Sequence, residues 1–155
     1  MLYEYHKDHF TITTNPDAFD IDAIHSYLTR SYWKRGVSKE LVKRSIKHSF
    51  CFGLFAGDQQ IGFARVITDH TDFAYLCDVF VLEPYQGQGL GQWLLATLLA
   101  CPALEGIRHF MLATRDAHEF YRKFGFQEVK NPERWMFRLA DKPWFQPSGG
   151  QEARR

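Results

Sequence analysis

Three alternating glycines stand between two apolar runs in Val79-Phe80-Val81-Leu82-Glu83-Pro84-Tyr85-Gln86-Gly87-Gln88-Gly89-Leu90-Gly91. Glycine takes positive φ at no steric cost and lets a ligand approach the main chain closely. If a helix begins here, the N–H groups of its first turn have no intrahelical acceptor. Together with the helix dipole they can hold phosphate oxygens without a lysine. Spacing excludes two other phosphate loops. A dinucleotide fingerprint needs glycine at position 92, which is Gln92, and a P-loop starting at Gly87 would put its Gly-Lys-Ser/Thr on Gln92-Trp93-Leu94. The plainer reading is a tight strand-to-helix turn with no ligand. Three alternating glycines exceed what such a turn needs.

The titratable groups near this turn leave alternatives open. Asp78 interrupts an apolar run. Burial would raise its pKa and suit it to be a base; alternatively it is a structural carboxylate satisfied by backbone N–H groups or by an arginine such as Arg65 or Arg115. His118 lies three residues before Tyr121, on the same face of a helix. His70 lies in a polar turn, and either histidine could equally be a surface or capping residue. Cys77 in a strand reads as packing rather than as an acyl carrier. Arg30-Ser31-Tyr32-Trp33-Lys34-Arg35-Gly36 sets two aromatics among basic residues. Tyr32 and Trp33 are either walls of a cleft or a lid folded onto the domain.

The elements that must hold these groups follow from periodicity. Phe10 to Thr14 alternates as a strand. Asp20 or Asp22 caps a helix running to Arg30, and Ser38 caps a second from Lys39 to His48. Phe50–Ala56 and Ile61–Ile67 form a hairpin through Gly57-Asp58-Gln59-Gln60. Phe73–Leu82 is a nearly continuous apolar strand, as central strands buried on both faces are. A helix spans Gly89 to Cys101 and stops at Pro102. Phe110–Thr114 is a strand, and Ala117–Phe124 is a short helix closed by Gly125. Phe126–Val129 and Trp135–Leu139 form a last strand pair. This order predicts an α/β (α+β) layer fold, a mixed sheet of six to seven strands with helices on its faces.

Composition bounds the function. The 155 residues make one domain, long enough to bury about 68–70% of the unfolded surface. Nineteen basic residues against 18 acidic ones leave no global field for nucleic acid or an anionic membrane. Three cysteines without CxxC spacing predict reduced thiols, a cytoplasmic protein and no metal site. The charged start, Met1 to Asp8, is unlike a signal peptide. No apolar stretch reaches the roughly 20 residues of a membrane span. With 14 Phe, 7 Tyr and 4 Trp, the chain has either a dense aromatic core or a lined cleft.

Gln86-x-x-Gly89-x-Gly91 after Val79-Phe80-Val81 resembles the acetyl-CoA signature of the GNAT N-acetyltransferases, Gln/Arg-x-x-Gly-x-Gly/Ala. Val81 stands five residues before the glutamine and Tyr85 just before it, as is usual. Pro84 falls three residues after the valine, where the family usually has two. Phe110-Met111-Leu112-Ala113-Thr114 with Phe120-Tyr121-x-x-Phe124-Gly125-Phe126 resembles a second family segment. The likeness runs from about Phe10 to Leu139 and is specific from Phe73 to Phe126.

The resemblance implies acetyl-CoA as acyl donor, no metal, and a small-molecule or protein amine as acceptor. Backbone groups of Val79, Phe80 and Val81 would pair with the pantetheine arm. Main-chain N–H groups of Gln86, Gly87, Gln88, Gly89, Leu90 and Gly91 would hold the pyrophosphate. The parallel strands Phe73–Leu82 and Phe110–Thr114 would splay apart to admit the thioester. Acetyl transfer needs a neutral amine, donors for the oxyanion and a proton donor for the thiolate. Tyr121 matches the family's acid, Asp78 is the candidate base with water as the alternative, and Tyr32 and Trp33 would contact the acceptor.

The implied unit is one acyltransferase domain over residues 1–142, with a flexible tail at 143–155. Two other readings are a non-catalytic acyl-CoA sensor and a nucleic-acid binder using Arg30–Arg35, the latter opposed by the balanced charge. The aromatic segment from Trp135 to Phe145 is a candidate homodimer edge.

Overall fold

The computed structural model describes residues 1–141. The expected tail from 143 onward, and the end of the aromatic segment, lie outside them.

The sheet grows by hairpins from the N-terminus. β1 (Glu4–Lys7) pairs antiparallel with β2 (Phe10–Thr13) through Asp8-His9, where Asp8 takes φ 55°. Sequence reading missed β1. Glu4, His6 and Lys7 give it no apolar face, as suits an edge strand that must not recruit a second chain. α1 (Ile21–Leu28) starts at Asp20, whose Oδ1 accepts from the Ala23 N–H at 3.1 Å, and it ends two residues before the expected Arg30. α2 (Lys39–Lys47) starts at Ser38, whose Oγ accepts from the Leu41 N–H at 3.2 Å. Each cap satisfies one orphan donor of a first turn.

β3 (Phe50–Ala56) and β4 (Gln59–Thr68) form the central hairpin. Its loop is only Gly57-Asp58, with Gly57 at φ 59°, so Gln59 and Gln60 belong to the strand. β5 (Phe73–Val81) follows, then α3 (Leu90–Leu99), β6 (His109–Leu112) and α4 (His118–Arg122). The six strands lie in sequence order, antiparallel except for the parallel pair β5–β6. This is the expected mixed α/β sheet.

Each face of the sheet carries a core. On one face Leu90, Leu94, Leu95 and Leu98 of α3 pack on Ile12, Phe52, Leu54, Val66 and Leu76. On the other, Ile24 and Leu28 of α1 and Val42 and Ile46 of α2 pack on Cys51, Phe63 and Phe80. Most of the aromatics serve these cores.

Two expectations are corrected. Phe126–Val129 and Trp135–Leu139 are not a strand pair: the chain runs irregularly through both, with a 3-10 turn at Pro132–Arg134 between them. A strand needs a ladder partner, and here neither run has one. β5 also ends at Val81 and is not uniformly buried. Its burial alternates, and its register with β4 shifts between Phe63 and Arg65.

Candidate active site

The register shift is a bulge at Asp78. Arg65 faces Cys77 and Phe63 faces Phe80, so β5 spends three steps where β4 spends two. Asp78 absorbs the extra residue at φ 54°. Aspartate and asparagine enter the left-handed region more readily than other side chains. A bulge bends its strand and re-aims the residues beyond it. Pairing of β5 with β6 covers only Phe73–Leu76 against His109–Leu112. Beyond it Val79, Phe80 and Val81 have no β6 partner, and a cleft of about 1220 Å³ opens between the strands.

Asp78 sits at the base of this cleft and is 3% exposed. Its Oδ2 accepts from Arg65 Nε at 2.7 Å and its Oδ1 from Trp33 Nε1 at 3.0 Å. Lys34 Nζ stands 3.8 Å from Oδ2. Burial by itself would lower the Arg65 pKa; the Asp78 carboxylate outweighs it and the net shift is upward. Arg65 also donates from Nη1 to Ser49 Oγ at 2.9 Å. The carboxylate therefore ties the bulge to the neighbouring strand and to the α1–α2 loop.

That loop supplies one wall. Tyr32 and Trp33 pack edge to face at 5.1 Å, and Tyr27 stacks on Phe80 at 4.1 Å. The Tyr32 hydroxyl accepts from the Arg115 N–H at 3.1 Å, and the Arg115 guanidinium lies 3.8 Å over the Tyr32 ring. Tyr32 thus reaches across to the loop after β6. At the rim, Arg30 forms a two-pronged pair with Glu83 at 2.9 and 3.0 Å, and the Arg30 bond holds the Glu83 carboxyl down at about 2. Sequence reading did not single out Tyr27, Tyr75 or Lys34 as cleft residues. Tyr27 stands three residues after Ile24 in α1, a spacing that marks packing rather than a site, and nothing in the sequence spacing ties Lys34 to Asp78.

Tyr121 lines the same cleft from α4. Burial, with the nearby Tyr32 second, pushes its phenol up to about 12. Its hydroxyl has no protein partner among the described residues, so it stays protonated and available to a ligand. Cys77 is a thiol raised to about 11, chiefly by burial, which leaves little thiolate at neutral pH. His118 faces a groove outside β6, not the cleft. His70, in a turn at φ 60°, approaches the Ala103 carbonyl at 3.0 Å and lines a separate cavity.

The glycine turn joins the cleft at its outer end. A cavity of about 390 Å³ over Gly87, Gly89 and Gly91 shares Val81, Gln86 and Phe120 with it. Gly87 and Gly89 both take φ 83°, and Gly89 is the N-cap of α3 with no side chain to occupy the first-turn donors. Among the described residues, no protein acceptor meets the main-chain N–H groups from Gly87 to Gln92; the first such bond is Trp93 N–H to Gly89 O at 3.0 Å. Gln86 is committed differently: its Nε2 donates to the Val81 carbonyl at 2.7 Å and ties the turn to the end of β5. No cluster of metal-ligating side chains occurs among the described residues.

The family model of the acetyltransferase (GNAT) domain matches residues 47–128, from the end of α2 to six residues past α4. The chain belongs to this family. It is an acyltransferase. A GNAT-family structure from Xanthomonas campestris pv. campestris is 40% identical, with a TM-score of 0.84, covering 87% of this chain and 96% of that one. A Gibberella zeae protein assigned to the acetyltransferases is 29% identical over 145 residues, covering 78% of this chain and 81% of its own length. A GNAT structure from Elizabethkingia anophelis, solved with acetyl-CoA bound, shares the fold at 20% identity and a TM-score of 0.63, with 80% of each chain covered.

Proposed function

We propose that the protein transfers the acetyl group of acetyl-CoA to a primary amine by direct attack, with both substrates bound together. One observation carries this reading: the β6 side of β5 is unpaired at Val79–Val81, and a single 3-10 turn at Glu83–Tyr85 leads from it to a glycine turn whose N–H groups from Gly87 to Gln92 have no protein acceptor among the described residues. An extended amide-bearing arm fits the first, and a pyrophosphate fits the second. Val79, Phe80 and Val81 would hold the arm, and Gly87 to Gly91, with Gln86 bracing them, the phosphates. The amine would approach from the Tyr32–Trp33 wall.

Attack requires the neutral amine, a minor form near pH 7 for an alkyl ammonium of pKa about 10. We assign Asp78 to positioning, because its oxygens are engaged by Arg65 and Trp33. The amine proton then leaves to water. Tyr121 acts on the departing sulfur. A thiol titrates near 8.5, so handing it a proton from a phenol at about 12 is uphill by about 5 kcal/mol. The fitting role is therefore a hydrogen bond to the developing thiolate.

The test is thermal denaturation with acetyl-CoA, CoA and NAD, followed by thiol release across a panel of amines. A ligand at about 100 Kd adds roughly 2.7 kcal/mol. A shift with both CoA ligands and none with NAD is the expected result. No shift with either CoA ligand refutes the proposal.

A further inference from the structure

The end of the sheet opposite Val81, where β3 begins, brings both cores to the surface. A cavity of about 820 Å³ opens there and shares no lining residue with the cleft. Thr14, Ser49, Cys51 and Ala103 face it, and their short side chains leave the space unfilled. Protein interiors hold few voids larger than a water molecule, whereas a concavity of this size suits a small organic ligand.

The floor is apolar. Phe19, Ile46 and Cys51 belong to the core under α1 and α2, and Phe50 packs against the other core. The rim is cationic. Lys43 and Lys47 stand four residues apart on α2, both exposed, on the same side of the helix as Ile46. Their stems can follow the apolar wall while the ammonium groups stay in water. No aspartate or glutamate lines the cavity, and neither lysine is in ion-pair contact with a carboxylate among the described residues. Asp22, held low chiefly by Lys39 with Lys43 a lesser influence, is already paired with Lys39. His70, from the β4–β5 turn, completes the lining; its Nδ1 donates to the Ala103 carbonyl at 3.0 Å and its ring meets Phe50 edge to face at 5.2 Å.

We propose that this cavity is a second ligand site, for a small amphipathic carboxylate. Its apolar body would lie on Phe19, Ile46 and Phe50, and its carboxylate between Lys43 and Lys47. Positive charge without counter-charge above an apolar floor favours that pattern and opposes an ammonium of the same shape. Ser49 does not compete for the head group. Its hydroxyl donates to the Ser45 carbonyl at 2.7 Å and accepts from Arg65 Nη1 at 2.9 Å, so recognition falls to the lysines. The site thus adjoins the Arg65–Asp78 pair of the cleft without drawing on it.

Amide NMR on the full-length chain, titrated separately with octanoate, 4-phenylbutyrate, octan-1-ol and octyltrimethylammonium, tests this. At least one of the two carboxylates is expected to give saturable shifts at Ser49, Phe50, Cys51 and His70 and none at Val79–Val81. The alcohol should bind more weakly than octanoate, and the cation should not bind there. The double variant Lys43→Gln/Lys47→Gln should keep its amide spectrum and lose about fivefold or more in carboxylate affinity. Should that variant fail to fold, the comparison of octanoate with its alcohol and its cation decides the point on the wild type. No saturable shift with either carboxylate, shifts confined to the cleft, equal binding of octanoate and octan-1-ol, or a folded double variant with unchanged affinity overturns the proposal. None of these readouts depends on acetyl-CoA binding or on turnover.

Discussion

Replacing Asp78 with Asn keeps the shape and the tolerance for φ 54° but removes the charge that Arg65 and Trp33 address. Asp78 and Arg65 are both buried, and breaking such a pair costs about 3–5 kcal/mol because the surviving charge is left uncompensated. The asparagine carbonyl still accepts from one of the two donors and returns about 1 kcal/mol. The expected loss for Asp78→Asn is therefore about 2–4 kcal/mol. For Asp78→Ala it is about 3–5 kcal/mol, plus the roughly 1–2 kcal/mol of holding a side chain other than Asp or Asn in the left-handed region. A domain of this size loses about 2–4 °C in Tm per kcal/mol, so Asp78→Asn should melt roughly 4–16 °C early and Asp78→Ala earlier still. Calorimetry reads the melt. Steady-state kinetics below it should show KM for the amine raised through a displaced Trp33, with kcat retaining its pH profile. A variant Asp78→Asn that melts within about 1 °C of the wild type while losing kcat would refute the positioning assignment and restore Asp78 as the base.

Tyr121→Phe is expected to lower kcat by about 10²-fold or less with KM for acetyl-CoA little changed; an unchanged kcat at every pH removes Tyr121 from the mechanism. The same phenol sets a sign for alkaline stability. Its folded pKa of about 12 lies above the unfolded value near 10, so the unfolded state loses the proton first and stability falls as pH rises from about 10 to 12. Tyr5, also raised to about 12, acts in the same window, so Tyr121→Phe should shallow this decline without abolishing it in alkaline melts. Gly89→Ala should cost about 1–2 kcal/mol through its φ of 83°, since an added Cβ there meets nothing within 4 Å. Gly91→Ala has no such φ and only an ordinary 3.7 Å contact with Phe120, so its melt should hold. Calorimetric titration of both variants with CoA separates the turn's shape from the closeness of ligand approach. Equal affinity for both variants and the wild type would remove the glycines from phosphate binding.

Local rules reached most of the fold. Asp20 and Ser38 cap the helices that their side chains announce, and Gly89 stands where a strand turns into a helix with positive φ. What periodicity could not show was the bulge. Asp78 in an apolar strand reads as a chemical anomaly, whereas its physical consequence is geometric: an extra residue turns Phe80 onto the α1 face and leaves the β6 side of Val79–Val81 unpaired. Nor could spacing reveal that the indole of Trp33 ends on a carboxylate 45 residues away. β1 was hidden for the opposite reason, since an edge strand of charged side chains has no alternation to read. The last two runs are the informative failure. Alternation in Trp135–Leu139 states that one face of the segment needs burying and that its backbone needs a ladder. It says nothing about which chain provides them.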